Sequence, residues 1–159
     1  MSDAFPVVGI GASAGGLDAC KKVIAALPAD SGIALILVQH LDPSQDSTLI
    51  EFLADHTTMC VVQASDGIPI KRDHLYVIPP GMYLSVRDGV LHLNHPRSSH
   101  GPQQPVDFLL RSLAEDLDGR AACVILSGAG TDGSIGCKAI REKGGLTIAQ
   151  DPDEAGPAG

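Results

Sequence analysis

Short apolar runs alternate along this chain with segments whose apolar residues recur at helical spacing. Val7–Ile10 is a short apolar run ending in glycine, the pattern of a buried strand, and Gly11–Gly16 then reads as a tight turn. Leu17, Cys20, Val23, Ile24 and Leu27 share one helical face, which Pro28 terminates. The continuous run Ile33–Gln39 predicts a strand covered on both faces. Thr48 and Glu51 match a capping box that opens a helix to about His56. Cys60–Gln63 and His74–Ile78 are further strands, the second stopped by Pro79-Pro80-Gly81. Leu84–Arg87 and Val90–Leu93 flank Asp88-Gly89, a strong hairpin signal. After the polar loop His95–Gln104, Val106, Leu109, Leu110, Leu113 and Leu117 form one helical stripe, with Pro105 at its start and Gly119 after its end. Ala121–Leu126 is a buried strand, Ser127–Gly133 a glycine-rich turn, Ile135–Lys143 a helix ended by Gly144-Gly145, and Leu146–Ala149 the last strand.

This alternation predicts an α/β fold: a doubly wound, mostly parallel sheet flanked by helices, joined by right-handed crossovers, with an inserted antiparallel hairpin. A length of 159 residues suits one domain, expected over residues 1–150. The tail 151–159 is proline, glycine and acid and reads as loose. In such sheets ligands bind beyond the carboxyl ends of the strands. That rule selects Gly11–Gly16, Gln39–Asp42 and Ser127–Gly133.

Composition narrows the function classes. A hydrophobic fraction of 44% with no Trp implies an aliphatic core. The net charge of −8, without any Lys/Arg cluster, argues against nucleic-acid binding, which depends on basic patches. No signal peptide and no run long enough for a membrane span is visible, so a cytoplasmic location with reduced thiols is expected. The four cysteines are isolated in sequence, and Cys60 and Cys123, inside strand-like runs, read as small hydrophobes. The acids of Glu115-Asp116-Leu117-Asp118 read as a solvated helix end.

Gly11-Ala12-Ser13-Ala14-Gly15 matches G-x-S-x-G between a predicted strand and a predicted helix, the context that a serine nucleophile requires. The helix start behind Ser13 offers free amides, including that of Ala14, to a developing oxyanion. Two other readings stay open on this segment. Gly9, Gly11 and Gly15 approximate a dinucleotide cradle, although its acidic ribose partner would fall among the apolar Leu35–Val38. The glycines also suit simple close packing of helix on strand. His40 follows the strand Ile33–Gln39, where a general base would stand, against the reading of a structural histidine. Asp132 lies in the turn after the strand Ala121–Leu126, where the base's orienter would stand, against the reading of ordinary Asp-Gly turn chemistry. The chain order Ser, His, Asp differs from that of α/β-hydrolases. His92, His95 and His100 have no cysteine or acid in register, so no metal is expected, and the proposed chemistry calls for no cofactor.

With those residues in hand, the sequence resembles the catalytic domain of the chemotaxis protein-glutamate methylesterases. The matching blocks are Ile10-Gly-Ala-Ser-Ala-Gly-Gly16, Val38-Gln-His-Leu41, Asp66-Gly67, Tyr76-Val-Ile-Pro-Pro-Gly81, Pro105-Val-Asp107, Leu126-Ser-Gly-Ala-Gly-Thr-Asp-Gly133 and Thr147-Ile-Ala-Gln150. The resemblance implies a Ser13, His40 and Asp132 triad, with a second oxyanion amide at Ala129. It implies hydrolysis of glutamyl methyl esters, and deamidation of glutamines, on methyl-accepting chemoreceptors. Ala14 stands where the family often has Thr, and the Gly-Ala-Ser-Ala-Gly-Gly block most resembles the branch fused to a methyltransferase. Relative to the family pattern, the sequence is expected to be C-terminally truncated, which leaves a non-catalytic docking module as the alternative to an esterase. Since receptor adaptation segments are acidic like this chain, Arg97 is singled out as a local contact for the substrate.

Overall fold

The computed structural model describes residues 5–12, 17–27, 31–39, 46–79, 81–94, 104–126 and 133–149. Eight strands and four α-helices are described: β1 (Val7–Ala12), α1 (Leu17–Ala26), β2 (Ala34–Gln39), α2 (Asp46–Ala54), β3 (Cys60–Gln63), β4 (His74–Val77), β5 (Tyr83–Arg87), β6 (Val90–Asn94), α3 (Pro105–Leu117), β7 (Ala121–Ile125), α4 (Ser134–Glu142) and β8 (Leu146–Ala149). Six strands form one sheet in the order β3-β4-β2-β1-β7-β8, and every pairing in it is parallel. The hairpin β5–β6 is a separate antiparallel pair, so it lies beside the main sheet rather than within it. Its turn is Asp88-Gly89, with φ of 55° and 73° at the two residues, the mirror-image backbone that matches strand twist.

Alternation along the buried strands divides the core into two layers. Val7, Ala34, Ile36, Val38, Tyr76, Ala121 and Cys123 pack with α3, α4 and the hairpin. Ile10, Ala12, Leu35, Leu37, Leu75, Val77 and Val124 pack with Cys20 and Ile24 of α1 and Leu53 of α2. The expected doubly wound arrangement is thus realised, with the chain running outward from β1 in one direction and returning to its other side as β7.

Three local expectations need correction, at β1, α2 and Cys60. β1 runs two residues beyond Ile10, because Gly11 and Ala12 continue the ladder opposite Val38 and Gln39. α2 begins at Asp46, so Thr48 lies inside its first turn rather than at the cap. Gly119 does follow the end of α3, as expected, and the positive φ of 51° falls on Asp118 before it. Cys60 is exposed because β3 is the outer strand of the sheet and its ends face solvent. Residues 150–159 lie outside those described. No helix among the described residues is long and apolar enough to cross a membrane.

Candidate active site

Three neighbouring strands end together. Ala12, the last residue of β1, pairs with Gln39, the last residue of β2. On the other side Gly11 pairs with Ile125 of β7, and Leu126 N–H donates to the Gly11 carbonyl at 2.8 Å. Parallel strands sit about 4.8 Å apart. The chain therefore leaves β1 and β2 on adjacent strands at one edge of the sheet, and leaves β7 beside them. The strand order reverses at β1, which makes this edge the topological switch point where ligands bind in open α/β sheets. In sequence, Ser13 follows Ala12, His40 follows Gln39, and Asp132 precedes Gly133. Ser13, Ala14, His40, Ala129 and Asp132 themselves lie outside the described residues, as do Arg97, His95 and His100.

The described residue nearest to Asp132 is held firmly. Gly133 is buried, has φ of 112°, and starts α4. A Cβ there would stand 2.9 Å from Ile125 Cδ1 and 3.3 Å from Val106 Cγ1, so glycine is required by both conformation and space. Its N–H donates to Asp107 Oδ1 at 3.0 Å, and Gly136 N–H donates to the same oxygen at 2.7 Å. Asp107 is only 4% exposed. Its carboxylate thus accepts two amides from the first turn of α4, the end of the helix that attracts negative charge.

Sequence reasoning quoted Asp107 in a motif but gave it no role. An acid in the first turn of α3 reads as ordinary capping of α3. Only the tertiary contact shows that it caps α4 instead, 26 residues away.

The two inner glycines of the motif are also explained. A Cβ on Gly9 would meet Leu110 Cδ2 at 2.6 Å, and one on Gly11 would meet Val106 Cγ1 at 2.7 Å. Both lie within β1, so they let α3 approach the strand and do not form a phosphate-binding turn. The dinucleotide reading, which placed Gly9 and Gly11 in such a turn, is corrected accordingly. The packing reading holds for these two.

Around this frame, polar side chains fasten the hairpin to α3. Asp116 accepts the N–H groups of Asp88 at 2.7 Å and Gly89 at 3.1 Å, so it is no merely solvated acid. Ser112 Oγ accepts Val86 N–H at 3.0 Å and donates to the Leu109 carbonyl at 2.8 Å. Tyr83 Oη accepts Gln104 N–H at 3.1 Å, immediately before α3. Its ring packs edge-on against Phe108 at a centroid distance of 5.1 Å. Among the described residues no cluster of three or more His, Cys, Asp or Glu side chains is arranged to hold a metal.

Comparison with known proteins settles the lineage. The family model described as CheB methylesterase matches residues 8–159. The chain belongs to that family. It is 40% identical, over 94% of its length, to a protein-glutamate methylesterase/protein-glutamine glutaminase of Bordetella avium, of which it spans 44%. It is 31% identical, over 93% of its length, to a putative protein of the same description from Leptospira interrogans, of which it spans 77%. The protein-glutamate methylesterase FrzG of Myxococcus xanthus is 35% identical over 92% of this chain, which spans 44% of it. The fold is similar to the crystal structure of the Thermotoga maritima CheB methylesterase catalytic domain, with a TM-score of 0.85, 28% identity, and coverage of 94% of this chain and 82% of that one. CheB-family membership agrees with the resemblance drawn from the motif blocks and with the doubly wound α/β expectation.

Proposed function

We propose that this chain is a serine esterase that hydrolyses glutamyl methyl esters on chemoreceptors in chemotaxis-type adaptation, with Ser13, His40 and Asp132 as its triad. The observation that carries the reading is the common end of β1, β2 and β7: Ser13 follows β1 and His40 follows β2 in sequence, and Asp132 lies in the connection from β7 to α4, just before Gly133. The names of the Bordetella and Leptospira relatives support the substrate class and add protein-glutamine deamidation by the same route.

In this mechanism Ser13 Oγ attacks the ester carbonyl while His40 takes its proton, and Asp132 holds the imidazolium. The amides of Ala14 and Ala129 receive the oxyanion. Methanol leaves with the proton from His40, and water, activated by the same imidazole, cleaves the acyl-enzyme to free glutamate. On a glutamine substrate the leaving group is ammonia. Cytoplasmic placement beside the receptor's adaptation helices, and partnership with a fused or associated methyltransferase, complete the proposal.

The test is methanol release from a methylated receptor fragment. Ser13→Ala is expected to lower turnover by about 10³-fold or more with the far-UV spectrum unchanged. Wild-type turnover in that variant, or no turnover in the folded parent chain, overturns the reading.

A further inference from the structure

Cys123 and Cys137 are separated by 14 residues in sequence, yet their Sγ atoms lie 2.9 Å apart. Cys123 is fully buried in β7, and Cys137 is half-buried on α4. We propose that this pair is a reversible oxidation site, at which a peroxide closes an intramolecular disulfide between β7 and α4. The two sulfurs are closer than atoms that merely pack, within about 1 Å of the bonded S–S length of about 2.05 Å. The remaining cysteines lack this arrangement. Cys20 is buried on the opposite layer of the core, where desolvation pushes its thiol up to about 12. Cys60 is exposed on β3, with β4, β2 and β1 standing between it and β7.

The pair divides the chemistry between its members. Cys137 is held below the usual thiol range, chiefly because the Cys123 S–H donates to it, with help from the Arg141 guanidinium and against burial and the Asp107 carboxylate. Cys123 is pushed up by that same bond and by burial, so it keeps its proton. A half-buried thiol with lowered pKa beside a buried resolving thiol is the arrangement that favours reversible oxidation. The Cys137 thiolate attacks a peroxide oxygen and displaces hydroxide, becoming a sulfenic acid. Cys123 sulfur then attacks Cys137 sulfur, the S–S bond forms, and water leaves. Overall two thiols supply two electrons to hydrogen peroxide, giving one disulfide and two waters, and a dithiol reverses the bond by exchange. The resulting covalent ring spans the segment that bears Asp132, between the end of β7 and the first turns of α4.

The experiment uses the full chain carrying Cys60→Ser, which removes intermolecular linkage. After treatment with hydrogen peroxide, the protein is alkylated in denaturant and digested with trypsin. Cleavage after Arg120 and Lys138 places both cysteines in one peptide, residues 121–138. That peptide is expected unalkylated and lighter by two hydrogen atoms, with both alkylations restored by dithiothreitol. Cys137→Ser on the same background should abolish the mass loss, and its half-exposed position spares the fold. The oxidised protein should melt several degrees higher, as expected of a closed loop of about 15 residues. Two alkyl groups on peptide 121–138, at a peroxide dose that fully oxidises Cys60 in the parent chain, overturn the proposal. So does sulfinate at Cys137 with Cys123 still free.

Discussion

The two faces of the central sheet are built on different rules. On the α1 and α2 face, bulky aliphatic side chains meet: Ile10, Leu35, Leu37 and Leu75 from the strands, Ile24 and Leu53 from the helices. On the α3 face the strand recedes. Gly9 and Gly11 leave β1 bare so that Val106, Leu110 and Leu113 can lie almost on its backbone. Gly136 of α4 makes the same allowance for Leu110, where a Cβ would stand 2.5 Å from the Leu110 Cβ. The first face is fitted by filling volume, and the second, along β1 and at Gly136, by removing it. The second is also where the hydrogen bonds of Asp107, Ser112 and Asp116 cross between elements. The α3 face is therefore held by hydrogen bonds between elements as well as by close packing.

Mutation can break this contrast at several points. The largest loss of stability is expected on the volume-filled face. Leu37→Ala, at a fully buried site, should cost about 2–5 kcal/mol in denaturant melts, because it leaves a cavity. On the glycine face the harmful change is an addition. Gly11→Ala should cost about 1–3 kcal/mol by overpacking. Adding Val106→Ala should recover part of that loss, since the clash is with Val106 Cγ1 at 2.7 Å. Strictly additive costs in this double variant would show that the two faces do not differ in the way described.

Asp107→Ala strands two buried amides and should cost about 1–3 kcal/mol. It should also lower kcat for ester hydrolysis more than it raises KM, because it loosens the chain next to Asp132. Asp107→Asn keeps an acceptor oxygen and should restore most of both. Equal losses in the two variants would point to the charge rather than the hydrogen bonds. At the small end, Lys143→Ala removes an exposed ion pair to Asp118 at 3.7 Å. No more than about 0.5 kcal/mol should change.

Much of the fold was legible in the residues, and the exceptions have physical causes. Cys60–Gln63 is a strand with the bounds read from its β-rich run, and Asp88-Gly89 makes the turn its backbone preferences predict. Sequence pattern makes β1 too short because glycine in a strand looks like a turn, and only the proximity of α3 shows why it belongs. Thr48 matched a capping pattern that the helix bypasses by starting two residues earlier. Of the candidate site, the structure shares with the sequence reading only the common end of β1, β2 and β7, since Ser13, His40 and Asp132 lie outside the described residues. Asp107 and the Cys123–Cys137 pair were not legible, because each depends on contacts between segments that no local pattern joins.

β1 completes its pairing only when β7 arrives, since Val7 lies opposite Ala121. During synthesis the ribosome needs on the order of ten seconds to deliver that partner, at roughly 5–20 residues per second. Until then the β7-facing row of amides and carbonyls on β1 has no ladder partner. Long-range pairing of this kind also slows folding, because a loop of most of the chain must close first. The bare glycines then acquire a second use. The side of β1 that α3 covers presents backbone at Gly9 and Gly11 in place of two further aliphatic side chains, so less apolar surface needs covering before α3 is made.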